Sequence, residues 1–246
     1  MKTVTAPTLS DLENIKRIGT GLAFILFPLL FVVAFALHPH LLNPHVLSAR
    51  ALVLRARHAD LMQLGHALDL FSTILLVAVA LRFMRKLEDT SVAWAGLIGA
   101  ALAIWGVLML ATLKGALCLT MSAVDTVSDQ EFAQMIPGLV AMFSRKGWMV
   151  MTWGIVCMPL GFAIQCIALL RTRTIPRWQS ALFLMGMLLL CTPDGAEIVS
   201  LSASSLMAIA LVPYGVQTII NKNAWTQNGR VGEMRVALAV ADKAVR

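Results

Sequence analysis

The chain reads as an all-α, polytopic membrane bundle of six transmembrane helices with short interfacial helices. Three observations predict this. Six apolar runs recur in 246 residues, near 18–37, 61–83, 92–117, 148–170, 180–192 and 196–214; a spanning helix needs about 20 mostly apolar residues. The composition is 59% hydrophobic and 13% charged, which leaves too little polar surface for a soluble globule. The basic residues stand mostly at the ends of the runs, where lipid headgroups and the positive-inside bias place them.

Six spans and their connections use nearly the whole chain. That predicts one membrane domain, 18–221, between a short N-terminal segment, 1–17, and an amphipathic tail, 222–246. The net charge of +7 is not a nucleic-acid signature, because no basic run is interleaved with aromatics. The partners expected from composition are membrane lipids, a small molecule or ion, and another membrane protein.

Ser10-Asp11-Leu12-Glu13 is a capping box that opens a helix running through Lys16 and Arg17 into the first span. Pro28 lies mid-span and is expected to bend it. Ala34-Phe35-Ala36 is similar to a signal-peptide cleavage site, but the long preceding region and the length of the run mark a retained helix. Pro39 and Pro44 make the next segment a turn-rich loop. Val46–Arg57 then sets Leu47, Ala51 and Leu54 on one side and Arg50 and Arg57 on another, which predicts a short interfacial helix.

The third run stays apolar to Val124 except for Lys114 and a few hydroxyls, so it tilts or emerges from the bilayer. Ala95, Gly99 and Ala103 repeat every four residues and invite a close neighbour. Ser128-Asp129-Gln130-Glu131 is a second capping box; it opens an apolar interfacial helix that Pro137-Gly138 is expected to end. The fourth span carries Gly154, Pro159, Gly161 and Gln165. The fifth is short and stops at Pro193-Asp194-Gly195, and the sixth begins with Glu197. In the tail, Val231, Met234, Leu238, Ala241 and Val245 form a stripe suited to a membrane surface.

With six spans both termini share a side. Fourteen of the twenty Lys and Arg fall there, and the six others are Arg50, Arg55, Arg57, Lys114, Arg145 and Lys146. The richer side is expected to be cytoplasmic, in a bacterial inner membrane.

The second span carries the polar pattern that asks for an explanation. Gln63, His66, Asp69 and Thr73 are spaced i, i+3, i+6, i+10 on one face of an otherwise apolar helix. An unpaired charge at the bilayer centre costs about 2.5–3.5 kcal/mol, so this face is expected to meet protein or water. Lys114, toward the outer end of the third span, is the natural partner of Asp69. Asp194 and Glu197 enter from the outer end of the fifth–sixth hairpin. The expected site is an outward-open cluster of His66, Asp69, Lys114, Asp194 and Glu197; the alternative is a buried ion pair that joins the second and third helices.

All five histidines fall in 29 residues. His38, His40, His45 and His58 stand at the expected outer face, where imidazoles can take a divalent metal such as zinc or copper; the other reading is a polar loop at headgroup level. A haem between helices needs two facing ligands, and only His66 lies clearly within a span, which argues against one. Cys118, Cys157, Cys166 and Cys191 form no CxxC pair and read as packing residues. Gly-x-Ser-x-Gly and His-Glu-x-x-His are both absent from the sequence.

Ala168-Leu169-Leu170-Arg171-Thr172-Arg173-Thr174-Ile175-Pro176-Arg177-Trp178, followed at once by a new apolar run, resembles a connection in uncharacterised bacterial six-helix integral membrane proteins of a domain-of-unknown-function class. Ala80-Leu81-Arg82-Phe83-Met84-Arg85-Lys86 is similar in tone. The resemblance implies a six-helix inner-membrane fold and no activity.

Three functions are compatible with these patterns. The first is a membrane protein that binds or conducts a small ligand or ion at the outward pocket between the second, third and sixth spans. The second is an enzyme acting on a lipid or isoprenoid-like substrate, with His66, Asp69 and Glu197 as acid/base groups. The third is an accessory subunit of a membrane complex. No internal repeat is visible to support a transporter.

Overall fold

The computed structural model describes residues 9–38, 48–142, 145–191 and 197–221. Among these residues there are eight helices and no strand: α1 (Leu9–Ala36), α2 (Ala49–Ala56), α3 (Asp60–Leu87), α4 (Ala93–Asp125), α5 (Asp129–Met142), α6 (Arg145–Thr172), α7 (Arg177–Leu189) and α8 (Glu197–Ile220). Five of them, α1, α3, α4, α6 and α8, are long and apolar enough to cross a membrane. The expected fifth span is α7, which has only 13 residues, about 20 Å at the helical rise. The tail beyond Asn221 lies outside the described residues.

The long helices pack antiparallel to their neighbours. Ser72 Oγ on α3 donates to the Phe27 carbonyl on α1 at 2.7 Å. Gln63 reaches the Cys118 carbonyl at one end of the α3–α4 seam, while Gly96 lies against Leu87 at the other. Phe24 meets Tyr214 edge-on with ring centroids 4.8 Å apart; about two turns earlier on α1, Arg17 donates to the Ile219 carbonyl and so places a cation on the C-terminal end of α8. Gly186 of α7 sits beside Ala203 and Met207 of α8. Arg17, Leu87, Gly96 and Ile220 therefore share one end of the bundle, and His38, Asp60, Asp125 and Glu197 share the other. α6 closes at the first end and α8 opens at the second, and α7 lies between them in the chain.

The centre is built from phenylalanine. Phe24, Phe27 and Phe31 of α1 are buried with Phe83 of α3, Phe162 of α6 and Phe183 of α7. The rings meet edge-on, with Phe162–Phe183 at 5.3 Å and Phe83–Phe183 at 5.6 Å between centroids. Lipid is as apolar as these side chains, so their burial stabilises through packing rather than release of water. The small-residue stripe of α4 meets α6 as expected: a Cβ on Gly99 would lie 2.8 Å from the Gly161 carbonyl, and one on Gly161 would lie 2.9 Å from Ala103 Cα. Gln165, beside this seam, donates from Nε2 to the carbonyls of Ala80 and Gly96 and so ties α6 to α3 and α4. On the outward faces, Trp94 and Trp178 stand exposed near the starts of α4 and α7, at the basic end, as interfacial tryptophans do.

A smaller cluster caps the histidine end. Val53 of α2 packs with Val124, Phe132, Ile136 and Leu139. Arg57, just after α2, pairs with Asp129 at 2.7 Å, donates to the Val127 carbonyl and lies over the Phe132 ring. The second capping box forms: Ser128 N–H donates to Glu131 at 2.8 Å, and the Glu131 N–H donates back to Ser128 Oγ. The expected stop at Pro137 does not occur. α5 runs through it to Met142, because Ile136 and Leu139, on either side of the proline, are anchored in the cluster and the loss of one backbone hydrogen bond does not undo that packing.

Replacing Gly161 by leucine forces α4 and α6 apart. The expected cost is about 1–3 kcal/mol, read as a fall of several degrees in the thermal midpoint of the purified protein; an unchanged midpoint contradicts the α4–α6 seam.

Candidate functional site

The polar face of the second span turns inward. Asp69 is fully buried and His66 nearly so. Asp69 stands nine residues into α3, about 13 Å along its axis from the start of the helix. Its Oδ2 pairs with Lys114 Nζ of α4 at 2.7 Å. The same ammonium lies 3.3 Å from His66 Nδ1 and 5.7 Å from the centroid of the Phe35 ring, over its face. An ammonium only donates, so Nδ1 of His66 accepts and that ring is neutral, with its proton on Nε2. The hydrogens of Lys114 thus have a carboxylate, an imidazole and a ring face to meet, which is how a buried charge is made tolerable. Asp69 Oδ1 is buried with no hydrogen-bond partner among the described residues. Thr73, last in the polar series, bonds back to the Asp69 and Leu70 carbonyls of its own helix.

The cluster continues to His38. The His38 and His66 rings meet edge-on with centroids 5.0 Å apart. His38 Nδ1 lies 2.8 Å from the Ala34 carbonyl; a carbonyl only accepts, so Nδ1 carries the proton and Nε2 keeps its lone pair. Gly65 makes room for this: a Cβ there would lie 2.8 Å from the Ala34 carbonyl and 3.1 Å from His38 Cε1. Burial holds the His38 imidazole below its ordinary value, and the Lys114 charge pushes the same way; the Ala34 hydrogen bond and the charges of Asp69 and Glu197 oppose them. Glu197, half-buried at the start of α8, thus contributes its charge to the cluster. Ser204, on the Glu197 face, donates to the Ser200 carbonyl of its own helix.

Of the five expected site residues, His66, Asp69 and Lys114 are in direct contact, Glu197 acts through its charge, and Asp194 lies outside the described residues. Of the four expected metal ligands, His40 and His45 also lie outside them. His38 is not the outer-loop residue the sequence places there; it is buried against His66, because Gly65 and the Ala34 carbonyl receive its ring. His58 is exposed, at a φ of 57°, with its backbone N–H on Asp125 Oδ1 at 2.7 Å. Among the described residues no group of three or more His, Cys, Asp or Glu is placed to hold a metal ion, and all four cysteines are free. The inward role of His38 was the residue-level feature hardest to foresee; its signal is the spacing of Phe24, Phe27, Phe31 and Phe35, which puts one face of the first helix, and its end, toward the core.

His38 also forms one wall of an open groove of about 730 Å³ at the histidine end, between the last turn of α1, α2 with the turn after it, and the first turn of α3. Arg55, Arg57, His58 and Asp60 supply its polar lining, and Leu37, Leu54, Leu61 and Met62 its apolar lining.

Removing one partner of the buried pair leaves the other charge uncompensated. Lys114→Ala is expected to cost about 3–5 kcal/mol, seen as a large fall in thermal midpoint in detergent; a midpoint within error of wild type contradicts the pairing. The pH dependence has a definite sign. His38 is held neutral in the fold, whereas the unfolded chain takes up a proton near the ordinary value of 6.5. Its contribution is therefore present above 6.5 and is lost as the pH falls below it. The midpoint is expected to drop between pH 7.5 and 5, less steeply in His38→Gln; parallel slopes contradict this assignment.

No curated protein and no solved structure matches the chain. A family described as Domain of unknown function (DUF4386) matches residues 19–221. That stretch holds α3, α4, α6, α7 and α8 entire and all but the first residues of α1, so the ion pair, the histidine contact and the groove all lie within the match; the chain belongs to this family.

Proposed function

We propose that this chain is a six-pass protein of the bacterial inner membrane that binds a small ligand or ion at a polar cluster of His66, Asp69, Lys114, Asp194 and Glu197. The membrane domain is 18–221, α7 serves as the fifth pass, and both termini are cytoplasmic. The basic residues gathered at the Arg17–Ile220 end support that orientation. Arg50, Arg55 and Arg57 stand at the other end and run against it.

The observation that carries the reading is the run of contacts from Asp69 through Lys114 and His66 to His38, which ends at the wall of the groove. Intramembrane ionisable groups are functional candidates by default. The run is one-sided. Beyond Asp69 the buried face of α3 is Ser72, Leu76, Val79, Phe83 and Leu87, set against Phe27, Phe162 and Phe183. A closely packed aromatic core on that side favours binding over conduction. The apolar wall of the groove favours a second reading, an enzyme acting on a lipid or isoprenoid-like substrate with His66, Asp69 and Glu197 as acid/base groups.

Protein purified in mild detergent, analysed by metal quantitation together with untargeted lipid and small-molecule mass spectrometry, tests the proposal. A species near stoichiometric with wild type and depleted tenfold or more in Asp69→Asn is the expected result. Identical content in the two proteins overturns it and favours an accessory subunit held together by an ion pair.

A further inference from the structure

The groove at the histidine end has its own chemistry. Its polar wall carries Arg55, which lines the space without a carboxylate partner among the described residues. Arg57 is different: Asp129, the Val127 carbonyl and the Phe132 ring hold it in place, so it forms a fixed rim. α3 opens on this space with no side-chain cap at Ala59. The first intrahelical backbone bond there is from Gln63 to the Ala59 carbonyl, and the amides of Asp60, Leu61 and Met62 precede it. The rest of its lining is largely apolar, and two of these residues, Leu54 of α2 and Leu61 of α3, are 48% and 60% exposed. The groove lies at the end of the long helices, level with the interfacial pair α2 and α5, so this apolar lining stands where acyl chains begin.

We infer, resting on the site reading above, that this groove holds a membrane phospholipid with an anionic head, the phosphate on Arg55 and the acyl stems along Leu54 and Leu61. A cation with no carboxylate partner among the described residues calls for an anion, and the uncapped start of a 28-residue helix adds the positive end of its dipole. The apolar lining calls for hydrocarbon attached to that anion. The cavity, about 730 Å³, falls in the range of small-molecule sites, about 300–1,000 Å³, enough for a headgroup and the first part of its chains. Asp60 lines the same groove and opposes an anion, so it sets the head on the Arg55 side. Occupancy there covers His38, and through it the ring of His66, which makes the lipid the species that reports to the buried ion pair.

The test is isothermal titration of the full-length protein in dodecyl maltoside with dihexanoyl phosphatidylglycerol, dihexanoyl phosphatidylcholine and glycerol phosphate. Phosphatidylglycerol is expected to saturate at least tenfold more tightly than either of the others. Arg55→Gln is expected to weaken it fivefold or more, Arg55→Lys to keep most of it, and Asp60→Asn to tighten it; each variant's thermal midpoint is checked for folding. Equal binding of the two lipids, tight binding of glycerol phosphate, or indifference to Arg55→Gln overturns the assignment. If those results appear while Asp69→Asn still depletes the native cargo, the lipid assignment fails and the site reading stands. If the cargo too is unchanged, both fail.

Discussion

The pairing of Lys114 with Asp69 is the constraint around which the histidine end of the bundle is arranged. Either charge alone is costly within a bilayer. Together, at 2.7 Å, they fix the rotation of α3 against α4, because only one face of each helix brings the two groups together. That rotation carries His66 onto the same ammonium and turns Phe71 and Ile74 outward to lipid. It also leaves Gly65 against the end of α1, where His38 enters. One electrostatic contact thus specifies which residues of α3 are interior and which meet hydrocarbon.

The two ends of the bundle divide the work. Through the centre and toward the basic end, edge-on phenylalanines and the closely packed α4–α6 seam make a tight core in which Gln165 is bonded to the Ala80 and Gly96 carbonyls. At the histidine end, polar groups are concentrated and joined by the α2–α5 cap through Arg57. Polar contacts between helices are worth modest amounts in a membrane, about 0.6 kcal/mol on average. Packing therefore supplies most of the cohesion, and the buried charges supply specificity of arrangement. The proposed site rests on that division.

The long helices were legible because hydropathy reports them directly; the apolar runs at 18–37, 61–83 and 92–117 fall within α1, α3 and α4 apart from a residue or two at their edges. The polar stripe was legible because its spacing departs from the apolar background, and Lys114 stood out as the cation at matching depth. The end of α5 was misjudged because a local rule about proline took no account of the tertiary anchors Ile136 and Leu139. The role of His38 was hidden because the sequence shows a histidine beside Pro39 and His40, which looks like loop, and says nothing of the space that Gly65 leaves across the helix pair. The phenylalanine core was present in the spacing of the first helix but needs partners from α3, α6 and α7, whose proximity is a property of topology.

The most direct measurement is the distance between Lys114 Nζ and the Asp69 carboxylate in the bilayer, by solid-state NMR dipolar recoupling on protein labelled with ¹⁵N lysine and ¹³C aspartate. A strong ¹⁵N–¹³C coupling, lost in Asp69→Asn, is the expected result. A lysine signal with no coupling to any carboxylate means that the two charges are not paired, and the proposed site goes with them.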